Sequence, residues 1–153
     1  MQNPIAKDPY LRPVLLSGLL IALLSVIFSP GLFLWAIVGG YIAVKLASRV
    51  TKDQVSLKDA LLIGLFAGML GGASFDIFLV ASFNSPEMQG FLIRALQKNW
   101  PSNITPIPDF KEILPSVFSL TSVFVIIISI VFSFIGAAIG FFVAKKRIKK
   151  KID

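Results

Sequence analysis

Four stretches of this chain are apolar on all sides, and its polar residues gather between them. The first covers about residues 11–28. It opens at Leu11-Arg12-Pro13, where a proline suits the first turn of a helix, and stops at Ser29-Pro30-Gly31. The second, about 32–47, follows at once, so the pair reads as a tight helical hairpin of short helices, close to the minimum for ~30 Å of hydrocarbon. The third, about 57–83, starts behind Ser56, which with Asp59 forms a capping-box pattern with Asp in place of Glu, and Asn84-Ser85-Pro86 ends it. The fourth, about 113–144, would be ~48 Å long at 1.5 Å per residue. It therefore has to tilt, leave its first turns around Pro115 outside the hydrocarbon, or bend near 136–140.

A different pattern separates the third run from the fourth. Met88, Phe91, Leu92, Ala95 and Leu96 recur at i, i+3, i+4, i+7 and i+8, behind Ser85 as N-cap and Pro86 in the first turn. With Gln89, Arg94, Gln97 and Lys98 on the other faces, residues 86–98 predict a short amphipathic helix lying in a membrane interface, with Trp100 at head-group depth.

Composition turns these helices into membrane spans. Of 153 residues 56% are hydrophobic and 15% charged, against roughly a quarter charged in soluble domains. The expected fold is all-α: one integral membrane four-helix bundle over residues 1–153, with the amphipathic helix between its third and fourth spans and a basic tail at 145–153. Proline directly after Ser29, with no small-residue cleavage pattern, favours an uncleaved first helix over a signal peptide.

Charge sets the expected orientation. Lys and Arg of the amino-terminal segment, the 45–58 region and the tail number 12, against 3 in the remaining connections. By the positive-inside rule both termini face the cytoplasm, the N-in/C-in arrangement, in what reads as a prokaryotic plasma membrane. The 84–112 loop then faces outward, and on it Asn103-Ile104-Thr105 matches a glycosylation sequon. The formal charge of +7 is expected to meet anionic lipid head groups at the cytoplasmic face through Lys145, Lys146, Arg147, Lys149, Lys150 and Lys151, with no nucleic acid as partner.

The absence of Cys and His removes disulfides, thiolate and imidazole catalysis, and the usual zinc, haem and iron–sulfur ligand sets. An intramembrane aspartyl protease would need a second carboxylate within the hydrophobic runs, and a rhomboid-like enzyme a histidine. No catalytic residue, metal site or cofactor is expected, and no enzyme.

Small residues recur every fourth position along the third run: Ala60, Gly64, Gly68 and Gly72. Comparable rows occur at Gly39 and Ala43 on the second, and at Ser133, Gly136 and Gly140 on the fourth. Such rows let backbones approach closely, which is how helices associate where lipid is as apolar as leucine. Packing within one chain is the plainer expectation, self-association the other. One step beyond Gly72 lies Asp76, the only acid well inside a hydrophobic run. A carboxylate at that depth is costly and such residues often mark ion or proton paths. Three readings stand: a structural acid bonded to hydroxyls of the last helix or to Arg94, an acid already at the wet interface, or a proton or cation site.

Ser17-Gly18 through Pro30, Trp35 with Gly39-Gly40 and Ala43, and residues 62–68 followed by Gly71-Gly72 resemble a recurrent pattern in small uncharacterised prokaryotic four-helix membrane proteins with a glycine-rich first half. The resemblance implies a glycine-rich hairpin followed by another helix pair, and implies no activity. The expected role is that of an accessory or structural component among other membrane subunits. The alternatives are a small homo-oligomeric channel or proton-coupled transporter using Asp76, and a lipid-binding or membrane-shaping protein.

Overall fold

The computed structural model describes residues 8–51, 55–101 and 109–152, with side chains of Phe110 and 147–152 outside the description. All regular structure among the described residues is helical: α1 (Leu11–Ile27), α2 (Leu32–Val50), α3 (Leu57–Phe83), α4 (Pro86–Lys98) and α5 (Phe110–Ile152). Asn103 and its sequon lie outside the described residues.

Local chemistry sets most boundaries. Ser29, Pro30 and Gly31 form a 3-10 turn joining α1 to α2, and the Trp35 indole closes it by donating from Nε1 to the Phe28 carbonyl at 3.3 Å. Ser56 caps α3 by accepting from the Asp59 amide at 3.1 Å, while its hydroxyl donates to the Asp59 carboxylate at 2.7 Å. The capping box is thus closed through the hydroxyl, the carboxylate being one carbon shorter than that of Glu. Ser85 caps α4 through the Met88 amide at 3.2 Å, with Pro86 in the first turn.

Two boundaries exceed expectation. Helix α2 runs on to Val50, and α5 is one continuous helix of 43 residues with Pro115 inside its opening turns. Its apolar part, Lys111–Lys146, holds only part of that length; the remainder continues through Lys and Arg, which are good helix formers. Pro115, sixth in the helix, removes the amide that would donate to the Lys111 carbonyl, a loss confined to the opening turns.

Three segments, Ser29–Val50, Leu57–Phe83 and Lys111–Lys146, are long and apolar enough to cross a membrane, and α1, at 17 residues, is a shorter apolar helix. This length and composition are compatible with an integral membrane protein. Side-chain size is distributed accordingly. Buried positions are mostly small (Ala36, Ala43, Ala47, Ala60, Ala67 and Ala137 are all fully buried), whereas large apolar side chains point outward, as at Ile27 (74% exposed) and Ile77 (71%). A water-soluble fold of this size would bury its large side chains and leave no such continuous apolar exterior.

Helices α2 and α3 touch each other, and each packs against both α1 and α5. Tyr10, Val14 and Phe141 pack on a cluster containing Ala43, Ala47 and Ala60. This brings together the start of α1, the end of α2, the start of α3 and the end of the apolar part of α5. The cations Arg12, Lys45, Arg49, Lys58, Lys145 and Lys146 therefore collect at one end of the molecule.

The seams are closed by backbone. A methyl group placed on Gly68 would sit 2.6 Å from the Ser129 carbonyl oxygen, and one on Gly71 2.7 Å from the Ile21 Cβ. At Gly40 and Gly136 it would fall on the carbonyls of Ser133 and Ile37, so α2 and α5 meet main chain to main chain. Helices held this closely gain dispersion along the whole seam, which replaces the hydrophobic effect as their adhesive in lipid. Ser133, fully buried, donates to the Gly64 carbonyl of α3 at 2.7 Å. This hydroxyl crosses to another helix instead of bonding within its own because Gly64 brings the α3 backbone within reach. Ser129 is equally buried with no hydrogen-bond partner. Ser133→Ala should accordingly lower stability by ~0.6 and at most ~1.7 kcal/mol, while Ser129→Ala should lower it not at all. Unfolding midpoints in mixed micelles would check the pair.

Candidate functional site

The residues singled out for helix packing come together. Ala60, Gly64, Gly68 and Gly72 are buried on α3, and the last three face Ser129, Ser133, Ala137 and the intervening backbone of α5. Gly39 meets Ile21 of α1, Ala43 is fully buried in the core, and Gly136 and Gly140 face Ile37, Tyr41 and Val44 of α2. On α5, Ser119, Ser122, Ser129, Ser133, Gly136 and Gly140 fall within an arc of about 100°, so one stripe of small and hydroxylated residues serves both neighbours. Each of these rows is occupied by a helix of the same chain.

Asp76 sits at the end of that row, half-buried. The register that sets Gly72 against Ile126 and stacks Phe83 on Phe118, with ring centroids 4.7 Å apart, puts Asp76 at the level of Ser122 to Ile126. Among the described residues none donates a hydrogen bond to its carboxylate and none forms an ion pair with it. The structural reading, an acid bonded to the hydroxyls of α5 or to Arg94, has no such bond behind it among the described residues. Thr121 donates to the Val117 carbonyl at 2.8 Å and Ser133 to the Gly64 carbonyl, Ser129 is without a hydrogen-bond partner, and Arg94 is exposed on α4.

The cationic candidates divide. Lys145 is exposed, its ammonium 6.0 Å from the Phe141 ring centroid, and Lys146 is exposed as well. The side chains of Arg147, Lys149, Lys150 and Lys151 lie outside the described residues. Trp100 is half-buried just after α4. Helix α4 has no buried residue, and its apolar face is open, with Phe91 61% exposed. Among the described residues no three acidic side chains gather as metal ligands would.

Sequence reading missed one feature. At the end opposite the cationic cluster, where α3 stops and α5 starts, lies an open cleft of about 560 Å³. Val80, Phe83, Leu114, Pro115 and Phe118 form its apolar wall. Asn84, Gln89, Lys111, Ser119 and Ser122 supply its polar groups. Among the described residues Lys111 is the only charged one lining it, and no carboxylate pairs with that ammonium. The available signal was the serine stripe on α5, which continues past Ser129 to Ser122 and Ser119 toward Lys111, beyond the last glycine of α3.

No known protein family, curated protein or solved structure matches this chain.

Proposed function

We propose that the protein is an integral membrane protein of four spans with both termini cytoplasmic, acting as an accessory or structural subunit of a larger membrane assembly. The closed α2–α5 and α3–α5 seams carry this reading: Gly40, Gly64, Gly68 and Gly136 bring backbones so close that a solute path between these helices has no room. Helix α1 joins the other three as a span because Gly18, Ile21, Gly39 and Gly71 hold it along α2 and α3 at their own depth. The collected cations at one end support an orientation with that end in the cytoplasm.

The chain has no cysteine, so single substitutions report topology without background. Ser56→Cys in sealed right-side-out vesicles is expected to resist a membrane-impermeant thiol reagent, and Asn99→Cys to react. Equal reactivity of both would remove the four-span arrangement. The role is tested by gentle extraction from the native membrane, measurement of the particle mass and identification of every chain in it. Other proteins in fixed ratio support the subunit reading, and a lone monomer ends it. A homo-oligomer favours the second reading, a channel or proton-coupled transporter, which Asp76 supports by lying half-buried without a bonded partner. Flux unchanged in Asp76→Asn would dispose of that alternative.

A further inference from the structure

We infer that the cleft between the end of α3, α4 and the start of α5 is a binding site for one anionic phospholipid. The inference rests on the membrane-spanning reading above, which puts this cleft at head-group depth. Its chemistry is divided as a phospholipid is. The stacked rings of Phe83 and Phe118 and the Val80 side chain offer an apolar wall continuous with the lipid-facing surface of α3. Lys111 stands among the polar groups with the Asn84 and Gln89 amides.

Charge complementarity selects the head group. Among the described residues the one charged group lining the cleft is an ammonium in no ion pair, the Asp109 carboxylate being turned to the Lys111 main-chain amide at 2.9 Å; such a cleft attracts a phosphodiester and repels the extra cation of a zwitterionic lipid. Amide and hydroxyl groups satisfy glycerol and ester oxygens, the remaining polar atoms of a lipid at this depth. Head group and chain then need different parts of the same cleft. A free phosphate would leave the aromatic wall uncovered, and a fatty chain alone would leave the ammonium unmatched.

The test uses the full chain purified in a neutral detergent and exposed to phosphatidylglycerol or phosphatidylcholine, with bound lipid counted by native mass spectrometry. One phosphatidylglycerol should be retained in preference to phosphatidylcholine. Lys111→Gln should weaken that retention about fivefold, the effect of one lysine on an anionic head group. Ser122→Trp, which fills the cleft, should abolish it, and Lys145→Gln with Lys146→Gln should leave it intact. Equal retention of the two lipids by the wild type would overturn the site. So would wild-type retention in both Lys111→Gln and Ser122→Trp, or displacement by inorganic phosphate as effective as by the lipid itself. Failure of the membrane reading is seen separately: a chain released from membranes by alkaline carbonate, without detergent, removes the premise before any lipid is counted.

Discussion

Gly136→Leu is expected to cost about 3 kcal/mol or more of stability. The first carbon of any side chain at this position lands on the main-chain carbonyl of Ile37 in α2, and a carbonyl cannot rotate aside as a flexible side chain can. Relief requires α2 and α5 to separate, which also withdraws Gly40 from Ser133. Overpacking in a well-filled core typically costs 1–3 kcal/mol; here the displaced object is backbone and a second contact is lost with it. Against a total stability of about 5–15 kcal/mol the variant should show a large drop in folded yield and in unfolding midpoint. Gly90→Ala on α4 is the matched control. Nothing lies within 4 Å of a methyl group at Gly90, so the better helix propensity should appear as a gain of up to ~1 kcal/mol. Equal behaviour of the two variants would show that α2 and α5 do not meet at this distance.

Asp76→Leu is expected to act in the opposite direction, raising stability by about 2 to 3 kcal/mol. An Asp at the centre of a span is disfavoured by roughly 2.5–3.5 kcal/mol and a Leu slightly favoured. Asp76 has no hydrogen bond or ion pair among the described residues to offset that cost. Its position about two turns from the end of α3 reduces the full difference. Comparing unfolding midpoints of Asp76→Leu and wild type gives the sign directly. A lower midpoint would mean that the carboxylate is bonded, through water or through another chain. A gain in stability accompanied by loss of assembly with other subunits or of flux would mark Asp76 as retained for function at the expense of stability.

Much of the architecture was legible because its punctuation is chemical. Ser29-Pro30-Gly31, Ser56 and Ser85-Pro86 each force a break or cap a helix by local rules, and the structure places turns and caps at all three. The far end of α5 was not legible, since hydropathy ends at Ala144 while the helix is carried on by Lys and Arg, whose propensity is high. The row from Ala60 to Gly72 announced a close contact but not its partner. Spacing of four fixes a face of one helix and says nothing about which neighbour lies there. For Asp76 the sequence offered Thr and Ser hydroxyls and Arg94 as partners, and the geometry supplies none of them. The cleft was invisible for a related reason: Val80, Gln89 and Lys111 belong to three helices, and only folding brings them to one rim.

The bond from Ser133 to Gly64 joins positions 69 residues apart, and this separation bears on biogenesis. At a synthesis rate of about 5–20 residues per second, α3 leaves the ribosome roughly 3 to 14 s before its partner on α5. On the membrane-spanning reading proposed above, the glycine faces of α2 and α3 stand in the bilayer during that interval without the helix that covers both. Lipid, an insertase or a chaperone has to occupy the groove until the carboxyl-terminal helix arrives, so premature termination before residue 129 leaves a chain that can insert but cannot close.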